Sequence, residues 1–266
     1  MKPCFSTLGC PEWNVGQILD CIRDLRFEGV EIRGLEGEMW VPASPHLRPG
    51  SDFLAELHRL GCVVACLGSS ASFGKPDAAM EECKAYIEAA SAIGCKLVRV
   101  FGGQLPEGMD RAQAARAMAP ALREACDFAA ERGVFVGLET HDAWCRCDQV
   151  AMILEAADHP ALKVIWDCHH SLRQGETPGQ SLAAVGDALV HVHLKDGFMV
   201  DGKAQYRLFG EGDLPLREVL QTLKDAGYEG YLSLEWEKKW HPNLPEPEVA
   251  FPQFRRKLDE LLASLE

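Results

Sequence analysis

The sequence predicts an α/β fold, a closed barrel of eight parallel strands with a helix after each strand. Three observations carry this expectation. Short β-rich runs and amphipathic helical stretches alternate from end to end of the chain. Eight such units fit into 266 residues, a normal length for one (β/α)8 domain. The first strand runs into Cys4-Phe5-Ser6-Thr7-Leu8-Gly9, which is not the Gly-rich phosphate loop expected of an open doubly wound sheet.

Strands are expected to begin near Cys4, Val30, Val63, Leu97, Val134, Val164, Val190 and Leu232. Helical patterns lie between them, for example Ile18 to Leu25, Met80 to Ile93, Ala112 to Ala130, Leu216 to Ala226 and Phe254 to Leu262. The spacing is clear in Leu216, Val219, Leu220 and Leu223, which share one helix face. Gly29, Gly61, Gly94, Gly133 and Gly227 punctuate the joins, as glycine does where helices stop. No linker, repeat or low-complexity segment divides residues 1–266, so one domain is expected. The Pro-rich stretch from His241 to Pro247 follows the last strand and is expected to pack over a barrel mouth.

Charge narrows the function classes. The chain has 27 basic and 40 acidic residues, a net charge of −13. Such a surface repels nucleic acid and anionic membranes. No apolar stretch approaches the ~20 residues that span a bilayer, and the N-terminal MKPCFSTLGC lacks the apolar core of a secretory leader. A soluble cytoplasmic protein is expected. The 11 cysteines are scattered singly, in the manner of small buried hydrophobes. Cys145 and Cys147 form a C-x-C pair with no second pair at finger distance, so cysteine ligation of zinc is not expected.

The chemistry is legible at four strand ends. VFVGLE ends at Glu139, LKVIWD at Asp167, LVHVH at His193 and GYLSLE at Glu235. In an eight-stranded α/β barrel the active site lies at the C-terminal ends of the strands. Two Glu, one Asp and one His gathered there suit a single divalent cation, with Mn2+, Mg2+, Co2+ and Zn2+ all admissible. His193 is favoured over His191 as ligand because it lies nearer the strand end. His170, three residues beyond Asp167, is placed to bind substrate hydroxyls or support the metal. Lys195 could meet a developing oxyanion or an anionic substrate group. Glu211, in the Gly210-Glu211-Gly212 turn, could orient ligands or substrate. Trp13 and Trp236, aromatic residues near strand ends, are expected as pocket walls. Arg33 and Arg99, at the ends of early strands, could bind a carboxylate or phosphate, or form ion pairs inside the barrel.

The motifs LETHD, WDCHH, HVHLKD, GEGD and SLEWE, in this order, resemble the xylose isomerase-like TIM barrels. These include sugar isomerases and 3-epimerases, inosose dehydratases and isomerases, and endonuclease IV-type nucleases. The likeness extends to FSTLGCPEW and to GVEIRG around Glu31 and Arg33, and so covers nearly the whole chain. It implies one divalent metal on Glu139, Asp167, His193 and Glu235, with Glu139 and Glu235 doubling as the acid–base pair. It implies proton transfer through a metal-stabilised enediolate of a sugar or cyclitol, without an organic cofactor. The principal expectation is therefore an isomerase or epimerase. The alternative is a lyase that dehydrates a keto-sugar or keto-cyclitol. The resemblance also suggests homodimers or homotetramers.

Two departures bear on the substrate. Ketohexose 3-epimerases carry a substrate-binding Glu where this chain has Cys145, and an Arg where it has Met199. His170 is the member of that trio retained. Nucleases of this family need extra His ligands, and here Ala204 and Tyr206 stand in place of an Asp-x-His pair. Phe101-Gly102-Gly103 offers no His either, so a nuclease is not expected.

Overall fold

The computed structural model describes residues 1–266. Strands β1 (Lys2–Ser6), β2 (Gly29–Ile32), β3 (Val63–Ser72), β4 (Leu97–Phe101), β5 (Phe135–Glu139), β6 (Leu162–Asp167) and β7 (Leu189–Leu194) come first. A hairpin of β8 (Asp196–Val200) and β9 (Lys203–Arg207) follows, and then β10 (Tyr231–Leu234). The hairpin strands pair antiparallel with each other. The other eight close into a parallel barrel in the order β1-β10-β7-β6-β5-β4-β3-β2. The expected (β/α)8 TIM barrel is present, and all eight expected strands are in it.

The helices are α1 (Val15–Leu25), α2 (Asp52–Arg59), α3 (Pro76–Ile93), α4 (Arg111–Ala130) and α5 (Cys147–Ala157). They continue with α6 (Cys168–Arg173), α7 (Pro178–Val185), α8 (Leu216–Asp225) and α9 (Pro247–Ala263). Their starts follow local chemistry. Asn14 with Gln17 and Asp110 with Gln113 form capping boxes that satisfy free N–H groups at the starts of α1 and α4. Helix α9 begins at Pro247, well before the expected Phe254, because proline at the first helical position loses no hydrogen bond and has its φ preset. The Pro-rich stretch thus ends by starting a helix.

Strand alternation sorts the side chains into two compartments. Val98, Val100, Val136, Leu138, Val164, Trp166, Val192 and Leu194 face outward and join the helices in a buried cluster of 64 residues. Each such side chain contributes about 1.5–3 kcal/mol by leaving water. Inside the barrel, Cys66, Leu97 and Ile165 form a separate apolar plug. Two residues further along the same strands stand Arg99 and Asp167. The interior therefore turns from apolar to charged toward the C-terminal mouth, where Glu31, Arg99, Glu139, Asp167, His191, His193, Lys195 and Glu235 are all buried. No helix is long and apolar enough to cross a membrane.

Candidate metal centre

Barrel register brings the four strand-end residues together. Asp167 on β6 pairs with His193 on β7, and His193 pairs with Ser233 on β10, two residues before Glu235. Glu139 ends β5 beside β6. One ligand atom from each of Glu139, Asp167, His193 and Glu235 lies within 4.8 Å of the other three. His193 Nδ1 is 3.2 Å from Glu139 Oε1 and 3.6 Å from Glu235 Oε2. Thr140 holds Asp167 in place, its Oγ1 accepting the Asp167 N–H at 2.8 Å.

Two cations brace this set. Arg99 Nη1 approaches Glu139 Oε2 at 3.2 Å, Glu235 Oε1 at 3.3 Å and Glu31 Oε1 at 3.9 Å. Lys195 Nζ lies 2.7 Å from Asp167 Oδ2, 2.8 Å from Glu235 Oε2 and 2.7 Å from Glu237 Oε1. Of the two readings of Arg99, the structure shows the interior ion pair. Glu31, Glu139, Asp167, Glu235 and Glu237 thus meet only Arg99 and Lys195 as permanently charged partners. The excess negative charge is visible in Asp167. Burial, with the charges of Glu235 and Glu139 opposing Lys195, pushes its carboxyl up to about 6. Glu139 Oε2 and Asp167 Oδ2 are sealed from solvent, and their contacts with Arg99 and Lys195 are ion pairs without hydrogen-bond geometry. A hard divalent cation answers both conditions, supplying positive charge and coordinating carboxylate oxygens that lack a hydrogen bond. The donor set therefore fits the metal.

Around these four residues the structure adds groups that the sequence did not single out for a role. Glu31 Oε2 lies 2.9 Å from His193 Nε2 and 3.1 Å from His191 Nε2, and accepts from Ser233 Oγ at 3.2 Å. His191 is therefore part of a carboxylate–imidazole network. His141 and Glu237 each stand two residues beyond a ligand, and this spacing of two was the available signal. The His141 ring packs against those of His170 and Phe101, with centroids 4.9 and 4.8 Å apart. Tyr206 reaches from the hairpin to within 5.7 Å of Lys195 Nζ, measured from its ring centroid.

The other expected residues divide. His170 Nε2 lies 3.2 Å from Asp167 Oδ2 and 3.4 Å from Lys195 Nζ, beside the ligands. Arg33 is buried at the mouth end of β2, and its Nη2 donates to Ser70 Oγ at 2.6 Å. The two indoles are held by the α9 region. Trp13 donates to Glu248 Oε1 at 3.0 Å, and buried Trp236 donates to the Pro245 carbonyl at 2.9 Å. Glu211 is exposed. The side chain that organises its turn is Asp196, which accepts from the N–H groups of Gly210 and Gly212 at 2.9 and 2.8 Å.

Comparisons agree with this architecture. A 124-residue segment is 31% identical to a fructoselysine 3-epimerase of Escherichia coli O157:H7, covering 44% of this chain and 44% of that protein. Another 124-residue match, at 32% identity, is to a 3-dehydroshikimate dehydratase of Pseudomonas putida, covering 43% of this chain and 19% of that protein. The matched segments thus span less than half the length of these curated relatives. The IOLI protein, solved with a bound zinc atom, has the same fold, with a TM-score of 0.82 at 17% identity over 100% of this chain and 99% of that one. A family model described as a xylose isomerase-like TIM barrel matches residues 19–260. With that match covering seven of the eight barrel strands and all four strand-end residues, this chain belongs to the xylose isomerase-like TIM-barrel family.

Proposed function

We propose that this protein is a divalent-metal-dependent isomerase or epimerase of a small sugar or cyclitol, with Glu139 and Glu235 as its proton carriers. One observation carries the reading. Glu139 and Glu235 face a common point, since both approach His193 Nδ1 and both meet Arg99 Nη1 at 3.2 and 3.3 Å. Glu139, Asp167, His193 and Glu235 would hold the cation, and its identity among Mn2+, Mg2+, Co2+ and Zn2+ follows availability as well as affinity. A divalent ion there supplies Lewis acidity, which favours the negative charge that develops on a hydroxy-ketone when the adjacent C–H proton leaves.

The chain's own residues do the rest. One of Glu139 and Glu235 accepts the carbon-bound proton, and the other returns a proton. Return to the same carbon gives the epimer, and return to the former carbonyl carbon gives the isomer. Burial opposes ionisation of Glu235, but Lys195, His193 and Arg99 outweigh it and hold the carboxyl well below its usual range. It is thus held ionised, the form that can accept a proton. Burial, then Lys195 and His141, push His170 down to about 3, so a neutral imidazole meets the substrate hydroxyls. The chemistry needs no organic cofactor. As for the family resemblance, a homodimer or homotetramer of soluble cytoplasmic chains is the accompanying expectation.

A second reading, dehydration, draws on His141. Burial disfavours its charge, yet the contact with Asp142 and the charge of Glu139 outweigh that and raise its pKa. An imidazolium there could protonate a departing β-hydroxyl. The dehydratase among the curated relatives supports the same outcome.

The test is turnover of a ketose panel in D2O by the metal-loaded protein. An isomerase or epimerase places solvent deuterium at the carbon beside the carbonyl in a product of unchanged formula, whereas a lyase releases water. Glu139→Gln and Glu235→Gln are each expected to abolish the exchange. Full activity after exhaustive chelation overturns the reading.

A further inference from the structure

Three cationic side chains are buried at the barrel mouth: Arg33 just after β2, Arg99 within β4 and Lys195 just after β7. Arg99 and Lys195 are engaged by carboxylates, as described above. Arg33 is not. It is 7% exposed, and its single side-chain hydrogen bond goes to a neutral group, the Ser70 hydroxyl. The acid next to Ser70, Glu82, accepts the Ser70 N–H at 2.6 Å and forms no ion pair with Arg33. Nε and Nη1 of Arg33 make no hydrogen bond yet are not among the sealed polar atoms, so they reach solvent at the mouth.

The arginine also has a like-charged neighbour. A Cβ on Gly68 of β3 would fall 3.0 Å from Arg33 Cδ and 3.5 Å from Arg99 Cζ. The absence of a side chain at Gly68 is what lets the two arginines lie side by side. Burial first, then the charge of Arg99, lower the Arg33 pKa to about 10, which leaves it protonated at neutral pH. A buried guanidinium beside a second cation, with no acid in contact and only the more distant charges of Glu82 and Glu235 to offset it, is costly unless an anion joins it. Planar guanidinium donors match a two-oxygen anion.

We propose that Arg33, with the Ser70 hydroxyl, binds a carboxylate of the substrate, so that the protein acts on a sugar acid or keto acid rather than a neutral sugar. The inference rests on the metal-centred reading above and names its substrate class. One guanidinium without a contacting acid matches one carboxylate. A phosphate dianion would bring a second negative charge to a mouth already holding Glu235 and Glu237.

The test is calorimetric titration of the metal-loaded, full-length protein with three probes: D-fructose, 5-keto-D-gluconate and D-fructose 6-phosphate. The keto acid is expected to bind more tightly than D-fructose. Arg33→Met is expected to weaken the keto acid about 10- to 100-fold and to leave D-fructose within about twofold. Arg33→Lys is expected to recover part of the loss. Because Arg33→Met removes an unpaired buried charge, its melting temperature is expected not to fall. Equal loss for acid and neutral sugar, or no loss for the acid, overturns the proposal. An Arg33-dependent preference for D-fructose 6-phosphate assigns the residue to phosphate and overturns the carboxylate. Chelation separates the two readings. If D-fructose binding survives metal removal while the keto acid still depends on Arg33, the metal-centred reading fails and the anion site stands.

Discussion

His193 Nε2 lies 2.9 Å from Glu31 Oε2, while Nδ1, across the same ring, lies 3.2 Å from Glu139 Oε1. A proton on Nε2 donated to Glu31 leaves the Nδ1 lone pair turned toward the ligand set, the tautomer a metal requires. In the proposed metal centre Glu31 would thus position His193 as a ligand. Glu31→Ala is expected to weaken binding of Mn2+ or Zn2+ about 10- to 100-fold, with circular dichroism unchanged. Titration calorimetry checks it, and an unaltered affinity would remove the orienting role.

Arg99 makes a second prediction. Its guanidinium is buried and is the only permanently charged group shared by Glu31, Glu139 and Glu235, which also meet the His193 imidazole. Arg99→Met strands those carboxylates, and losing one partner of a buried ion network costs about 3–5 kcal/mol. A urea titration of the chelated protein is expected to show that loss. Added divalent cation is expected to restore part of it, by neutralising Glu139 and Glu235. A variant as stable as the parent would show that the carboxylates are protonated there instead.

How far such relationships could be read from sequence depends on whether they are periodic. Glu139, Asp167, His193 and Glu235 were legible because each ends an apolar run, and strand ends converge in a parallel barrel. The ion pairs of Arg99 were not fixed in advance. Glu31, Glu139 and Glu235 reach it from β2, β5 and the end of β10, and only barrel closure and register decide which of several interior acids meets which base. The hairpin of β8 and β9 carries no strand signal in the sequence. Its strand Lys203–Arg207 alternates exposed and half-buried residues instead of presenting an apolar face. Glu211 drew attention through its glycine-flanked turn, but the organiser is Asp196, 14 to 16 residues earlier.

Acid sensitivity has an identifiable source in His169. The ring is 3% exposed and neither nitrogen has a hydrogen-bond partner. Burial, helped by Lys195, His170 and Arg173 against Asp167, lowers its pKa from 6.5 to about 4. Between those values the unfolded chain binds a proton that the folded protein refuses. Stability present above pH ~6.5 is therefore lost as pH falls toward ~4, with an upper bound of about 3 kcal/mol. Denaturant titrations from pH 7 to 4 are expected to show a shallower decline for His169→Phe than for the parent. Parallel declines would place the acid sensitivity elsewhere.

Asp196 ties the hairpin to the barrel. Its carboxylate accepts from the N–H groups of Gly197 at 2.8 Å, Gly210 at 2.9 Å, Gly212 at 2.8 Å and Leu214 at 3.4 Å. One anion thus satisfies amides from both sides of a 14-residue excursion, between the end of β7 and the start of α8. Hydrogen bonds to a charged acceptor are worth about 1.5–3 kcal/mol each when the partner is left unsatisfied, although exposure at Gly210 and Gly212 lets water replace part of that. Asp196→Ala is therefore expected to loosen this segment locally without unfolding the barrel. Amide hydrogen exchange at Gly210 and Gly212 should accelerate at least tenfold, while Val192 and Leu232, in the barrel strands, keep their protection. Asp196→Asn retains one acceptor oxygen and is expected to fall between. Faster exchange at Val192 as well would mean that Asp196 supports the barrel, and unchanged exchange at Gly212 would mean that the turn holds without it.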